Sequence, residues 1–114
     1  PERVTAPFAR LDLARIRTLD FLPVDEHRFP AVDLAYAACR AGGSMPAVLN
    51  AANEIAVERF LAGELPFTSI VDITSRVLDR HAGSVAPIGS VEEALRWDEW
   101  ARNEARGIDV AVKR

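Results

Sequence analysis

Two carboxylates and two amides lie within nine residues near the middle of the chain, in the stretch NAANEIAVE at 50–58. Glu54 and Glu58 are four residues apart, so a helix would place both carboxylates on one face, where acid–base catalysis or cation binding becomes conceivable. A metal site needs further protein ligands, and no histidine or third carboxylate joins this pair. The pair is therefore predicted to be a solvated helix edge.

Asn50 and Asn53 are the amides of this stretch. Asparagine is a mediocre helix former because its side chain competes for backbone hydrogen bonds. Yet Val57 and Leu61 lie opposite the main apolar face, and a helix that is apolar on two sides is buried on two sides. An unpaired amide there costs roughly 1–3 kcal/mol. Both asparagines are therefore predicted to hydrogen-bond main-chain groups outside their own helix, with a supporting role near an active site left open.

Other reactive side chains lack partners in the sequence. Cys39 lies on an apolar helix face and is predicted to be an inert core cysteine, since a reactive thiol needs an electropositive, partly open site. His27 and His81 have no metal-ligand partner at helical spacing, and Ser44 has no identifiable base. The glycines of RAGGSM follow a helix without the preceding strand of a dinucleotide fingerprint. We therefore predict no catalytic, cofactor-binding or metal-ligating residue in this chain.

The composition is that of a soluble globular domain. The chain has 114 residues, 49% hydrophobic and 27% charged, with a net charge of −3. This charge does not indicate a nucleic-acid partner, and no apolar run approaches the ~20 residues of a membrane helix. A single cysteine permits no intrachain disulfide, which favours a reducing, cytoplasmic setting. The chain opens on proline instead of methionine and is interpreted as a fragment.

Proline and glycine punctuation predicts four helices with short connections. Their expected ranges run from Pro30 to Gly42, from Ser44 or Met45 to Gly63, from a Thr68 cap to about His81, and from Val91 to about Arg106. Ser90 with Glu93 three residues later is a capping-box signature for the last helix. The predicted fold is mainly α: an irregular arm over residues 1–29 and a four-helix bundle over 30–114.

The apolar faces predict which helices are central. The second helix should be the most buried, and its inaccessible residues are expected to be Leu49, Ala52, Ile55, Ala56 and Phe60. The third helix is amphipathic and should lie at the surface, with Ile70, Ile73, Val77 and Leu78 inward. In the fourth helix Asp98 and Arg102 are predicted to form an i,i+4 ion pair. Trp100 is expected to point away from Trp97, toward the arm or a missing neighbour.

Several motifs occur in the order found in one enzyme family. LDF at 19–21 is followed by Pro23, Asp25, RFPAVDLAYAACRAGG at 28–43, LNAANEIAVERFLAG at 49–63 and FTSI at 67–70. The sequence closely resembles the C-terminal part of the 1-deoxy-D-xylulose 5-phosphate reductoisomerases over nearly all of residues 1–106. The Asn-Ala-Ala-Asn-Glu stretch with Val57, Phe60 and Leu61 is the most specific piece.

The resemblance implies a parent oxidoreductase of the non-mevalonate isoprenoid pathway. Such an enzyme isomerises its sugar phosphate, reduces the product with NADPH to 2-C-methyl-D-erythritol 4-phosphate, and requires magnesium or manganese. It implies an N-terminal dinucleotide-binding domain, a central catalytic domain, a C-terminal four-helix bundle and a homodimer. The family's cofactor and metal residues have no counterpart in this sequence. Residues 1–29 would then connect the end of the catalytic domain to the bundle, and the chain would bind neither NADPH nor metal.

Two hypotheses remain open at this point. The chain is either a supporting domain of that oxidoreductase or a stand-alone helical interaction module. The arm also has alternatives, because its apolar residues fit either short strand segments or a helix near residues 11–16. Without the catalytic domain it should fold back on the bundle, become disordered or pair with a second copy, and pairing is favoured. The apolar residues concerned are Leu11, Leu13, Ile16, Phe21 and Leu22.

Overall fold

Four long helices make up most of the computed structural model, which describes residues 7–110. The α-helices are α1 (Leu13–Ile16), α2 (Ala31–Ala41), α3 (Met45–Leu61), α4 (Ser69–His81) and α5 (Val91–Arg106), with a 3₁₀ turn at Ala82–Ser84. The described part contains no strand, so the mainly α prediction with four principal helices is confirmed. The portions of the arm and bundle at 1–6 and 111–114 lie outside the described residues.

Helix α3 is central, as predicted, and packs against α2, α4 and α5. Alanine at 51, 52 and 56 is fully buried, and these small side chains let the neighbouring helices approach closely. Burial of Ala52, Ile55 and Ala56 is confirmed.

Leu49 and Phe60, which were predicted to be largely inaccessible, are only partly buried and pack against the core from outside it. Leu49 lines an open cleft beside Leu34 and Asn53. Phe60 meets Phe67 edge to face at 5.7 Å between ring centroids, and Phe67 is itself 70% exposed. Both side chains therefore lie at the margin of the core.

Helix α4 has the predicted amphipathic character. Ile70, Ile73, Val77 and Leu78 are all buried. The expected cap at Thr68 is not made, because its backbone is already helical and its side chain accepts no bond. A turn satisfies the first amides instead: the Ser69 amide donates to the Pro66 carbonyl at 3.0 Å.

Helix α5 begins with the predicted Ser90 cap. The Ser90 hydroxyl accepts from the Glu93 amide at 3.2 Å, and the Glu93 carboxylate accepts from the Gly89 amide at 2.7 Å. In the usual capping box the glutamate accepts from the N-cap amide, whereas here it accepts from the amide of the residue before the N-cap. The predicted ion pair between Asp98 and Arg102 is also present, and Arg102 Nε donates to Asp98 Oδ2 at 2.6 Å.

Residues 7–30 form an arm in which every residue is exposed. Of the two alternatives for its conformation, the helix is found: α1 is one turn, capped by Asp12, which accepts from the Ala14 amide at 3.0 Å. The described arm does not fold back on the bundle, so its large apolar side chains remain in solvent. They include Leu11, Leu13, Ile16, Phe21 and Leu22.

Helix α2 is the least buried of the long helices. Ala38 is its one buried residue and Leu34 is half-buried. Cys39 is exposed, so the prediction of an inert core cysteine is wrong. The reason is geometric: α2 is apolar around more than half its circumference, but α3 covers only the part that carries Leu34 and Ala38.

Candidate functional site

The folded chain brings Ser44 and His81 together across 37 sequence positions. Ser44 Oγ lies 2.7 Å from His81 Nε2, and both residues are fully buried. Ser44 precedes α3 and His81 ends α4, so the pair joins the start of one helix to the end of the other. The prediction that Ser44 has no base nearby is therefore wrong. The sequence signal was too weak to reveal the pair, because only tertiary packing brings the two residues together.

The connection before α5 completes this buried cluster. The Ser44 amide donates to the Ala86 carbonyl at 2.8 Å, and the Ala86 amide donates to Ser44 Oγ at 3.1 Å. Gly43 has φ +52°, and a Cβ there would overlap the Ala86 carbonyl oxygen and lie 3.0 Å from its carbon. The close approach of these two backbone segments therefore requires glycine at 43.

Two tryptophans of α5 enclose the histidine ring. The His81 centroid lies 4.5 Å from Trp97 and 5.2 Å from Trp100, and the two indoles meet edge to face at 5.9 Å. Trp100 thus lies beside Trp97, and the prediction that it points away is wrong. Residues three apart are neighbours on a helix surface, which is the physical reason.

The Ser44–His81 pair lacks two features that a nucleophilic serine needs. A serine nucleophile needs access to substrate and a base held by a third group. Here Ser44 is inaccessible, and His81 Nδ1 is buried without a partner among the described residues. Burial lowers the pKa of His81, which keeps the imidazole neutral at neutral pH. The Ser44 hydroxyl contacts Nε2 and so fixes the orientation of the neutral ring through one of its two hydrogen-bonding nitrogens.

This burial predicts a stability that falls as the solution is acidified. Because the pKa of His81 is lower in the folded chain than the ordinary 6.5, the unfolded chain binds more protons as pH falls through that value. The free energy of unfolding should therefore decrease between about pH 7.5 and about pH 5.5, by at most about 1.4 kcal/mol per pH unit. Urea unfolding followed by tryptophan fluorescence measures this slope.

The matched variants for that measurement are His81→Gln and His27→Gln. Glutamine at 81 removes the titrating group and should flatten the slope, whatever its effect on absolute stability. His27 lies on the exposed arm, so its replacement should preserve the slope. The pKa values of Glu54 and Glu92 are lowered, and carboxylates of this kind reduce stability only at more acidic pH. An unchanged slope in His81→Gln would contradict the assignment.

The carboxylate of Glu54 belongs to a polar network between α3 and α5. Arg102 donates to Glu54 Oε2 at 2.6 Å and to both Asp98 oxygens, at 2.6 and 3.2 Å. The hydrogen bonds from Arg102 and then Asn50 lower the pKa of Glu54. The Asp98 and Glu54 carboxylates raise the pKa of Arg102. The arrangement is a helix-to-helix ion-pair network, and Glu58 is not part of it.

The predicted hydrogen bonds from Asn50 and Asn53 to main-chain groups outside their own helix are not formed. Asn50 donates to Glu54 Oε1 at 2.8 Å, a bond within its own helix. Asn53 is exposed and makes no side-chain hydrogen bond to a described residue. Both asparagines are exposed, whereas the buried face of α3 carries the alanines at 51, 52 and 56. Asn50 orders the Glu54 carboxylate that Arg102 binds.

Arg59, and not either asparagine, joins α3 to main-chain groups outside its own helix. Its guanidinium Nη1 donates to the carbonyls of Ala105 and Ile108, at 2.8 and 2.9 Å, and its Nε pairs with Glu64 at 3.2 Å. It therefore satisfies carbonyls at the carboxyl end of α5, where a positive charge also complements the helix dipole. The sequence feature that could have indicated this contact is a positively charged residue on an otherwise apolar helix face.

The described residues contain no cluster of side chains of the kind that holds a metal ion. Across residues 7–110, no three His, Cys, Asp or Glu side chains converge as metal ligands would. In the network between α3 and α5, the Glu54 and Asp98 carboxylates are both paired with Arg102. Within residues 7–110, every helix is too short or too polar to span a bilayer.

Comparison with known proteins gives one consistent family. Residues 1–104 match the family model described as the DXP reductoisomerase C-terminal domain. The chain is 51% identical over 108 residues to a 1-deoxy-D-xylulose 5-phosphate reductoisomerase of Thermomicrobium roseum, covering 95% of this chain and 28% of that protein. It is 46% identical over 108 residues to the enzyme of a Geobacter species, with the same coverage.

A solved structure agrees with these sequence matches. The 1-deoxy-D-xylulose 5-phosphate reductoisomerase of Zymomonas mobilis, in complex with NADPH, superposes with a TM-score of 0.79 at 40% sequence identity. The superposition covers 93% of this chain and 28% of that one. The chain therefore spans little more than a quarter of the length of the relatives it matches.

Proposed function

Because the chain belongs to the 1-deoxy-D-xylulose 5-phosphate reductoisomerase family and corresponds to its C-terminal domain, we propose that it is the helical supporting domain of such an enzyme. The complete protein would convert 1-deoxy-D-xylulose 5-phosphate to 2-C-methyl-D-erythritol 4-phosphate by isomerisation and NADPH-dependent reduction. The observation that carries this proposal is the family match over residues 1–104, joined to the TM-score of 0.79.

The side chains of this chain indicate which functions belong to the bundle and which belong to the preceding domains of the proposed enzyme. Residues 1–29 would connect the end of the catalytic domain to the bundle of residues 30–114. The bundle would contribute no catalytic, NADPH-binding or metal-binding residue. In support, the buried Ser44–His81 pair has no access to substrate and the Glu54–Arg102 network is saturated with its own ion pairs. NADPH and Mg²⁺ or Mn²⁺ would be bound by the preceding domains.

The setting and assembly proposed for the complete enzyme come from the same family assignment. We propose a cytoplasmic homodimer whose catalytic and NADPH-binding domains are the immediate partners of this chain. The single cysteine and the similarity to 1-deoxy-D-xylulose 5-phosphate reductoisomerases support the cytoplasmic setting. The alternative, a stand-alone interaction module, is tested by the intact mass of the native gene product: a chain several-fold longer than 114 residues favours the enzyme.

Deleting the bundle from the complete protein should abolish most of its activity. NADPH oxidation in the presence of the sugar phosphate should fall by at least about 100-fold, because a loss of support that shifts reacting groups by about 1 Å has this effect. The 114-residue chain by itself should show neither turnover nor NADPH binding in calorimetric titration. Micromolar NADPH binding by the chain alone would contradict the proposal that the bundle contributes no NADPH-binding residue.

A further inference from the structure

One side of α2 carries a continuous apolar stripe that the bundle leaves in solvent. We call it the α2 outer face, and it consists of Ala31, Val32, Ala35, Tyr36 and Cys39. Its members recur at the spacing of one helix face and together line a shallow groove without a charged side chain. Val32 is 46% exposed and Tyr36 is 61% exposed.

The stripe is more than a set of scattered surface residues. The opposite part of α2 packs on α3 through Leu34 and Ala38, and the polar residues Asp33 and Arg40 are confined to a narrow ridge. A helix that is apolar around most of its circumference is buried on more than one side in the finished protein. The pattern therefore indicates a partner from outside residues 7–110.

We propose that the α2 outer face is the docking surface for the part of the longer protein that precedes this chain, with Tyr36 as the central contact. The proposal builds on the proposed function, since it requires the longer protein. The relatives are more than three times the length of this chain, and the matching family model is that of their C-terminal domain, so their additional length lies on the amino-terminal side. The exposed arm leads from that side directly into α2.

The tether favours this occupant over a second copy of the chain. A segment held by a linker meets its target at an effective concentration in the millimolar range, far above ordinary protein concentrations. The 11 residues of α2 form a helix about 16 Å long, and one face of it offers much less than the ~800 Å² per partner of a stable dimer. A small apolar face is sufficient when the partner is covalently attached.

Cys39 provides a direct reporter of docking because its thiol lies within the stripe. Its labelling by a water-soluble maleimide would be measured, by peptide mass spectrometry, in the full-length protein and in the 114-residue chain. Labelling should be at least about tenfold slower in the full-length protein, as expected when the docked state is about 90% populated. The control is Asp72→Cys, on the solvent face of α4, which should label equally in both proteins.

Variants at Tyr36 test the central contact. Tyr36→Glu in the full-length protein should raise the Cys39 labelling rate toward that of the isolated chain, whereas Tyr36→Phe should retain protection. Neither change should shift the unfolding midpoint of the isolated chain, because Tyr36 is exposed there. Equal labelling of Cys39 in the two parent proteins would overturn the proposal. Protection of Cys39 in the isolated chain that increases with concentration would also overturn it, in favour of a second copy.

Turnover of the sugar phosphate, measured on the same full-length sample, separates this proposal from the proposed function. An active protein with an unprotected Cys39 would refute docking through α2 alone. A protein without reductoisomerase activity but with a protected Cys39 would refute the proposed function and leave the docking surface supported.

Discussion

Ile55→Ala is expected to destabilise the chain by about 2–5 kcal/mol, the usual range for truncating an aliphatic side chain in a packed core. Ile55 is 1% exposed and belongs to the buried face of α3, the helix that packs against α4 and α5. The substitution removes apolar contact area and leaves a cavity, because the flanking alanines at 52 and 56 are too small to fill it. Chemical denaturation monitored by circular dichroism measures the loss.

Two substitutions on the same helix calibrate this expectation. Leu61 is 77% exposed, so Leu61→Ala should change the free energy of unfolding by no more than about 0.5 kcal/mol. Phe60→Ala should fall between the two, at about 1–3 kcal/mol, because Phe60 is half-buried and retains an edge-to-face contact with Phe67. This range lies below the roughly 3–5 kcal/mol typical of truncating a fully buried phenylalanine. An Ile55→Ala loss no greater than that of Leu61→Ala would contradict the described core.

Gly43→Ala is expected to cost about 3 kcal/mol, the second large effect. The backbone of Gly43 has φ +52°, where an L side chain pays roughly 1–2 kcal/mol. The new Cβ would also overlap the Ala86 carbonyl oxygen, which accepts from the Ser44 amide. Moving that carbonyl away disrupts the paired Ser44–Ala86 bonds and exposes buried polar groups, which costs roughly 1–3 kcal/mol.

Gly63→Ala is the matched control for Gly43→Ala. Gly63 has φ +77°, also positive, but an added Cβ there meets nothing within 4 Å. It should therefore show the backbone cost alone, about 1–2 kcal/mol. The difference between the two variants in urea denaturation isolates the close approach at Ala86. Equal losses would mean that the clash is relieved without disturbing the Ser44–His81 pair.

The local structure of this chain could be predicted because it depends on neighbours in sequence. Pro30, Gly42 and Gly63 mark helix ends through their backbone preferences, and Ser90 caps α5 through a bond to a residue three positions away. The Asp98–Arg102 pair is likewise fixed by helical spacing. The inward residues of α4 follow from its period, since a strongly amphipathic helix has only one way to bury its apolar face.

The sequence by itself thus determined the family resemblance, the four helices and the central place of α3, while tertiary structure decided which polar groups meet and which apolar faces stay uncovered. Ser44 and His81 are 37 positions apart, and Arg59 reaches Ala105 and Ile108 only after α5 packs beside α3. The apolar pattern predicted that Cys39 would be buried, but a pattern states only that a face is apolar. Whether a face is covered depends on which other elements are present and where they pack, and this packing leaves Cys39 exposed.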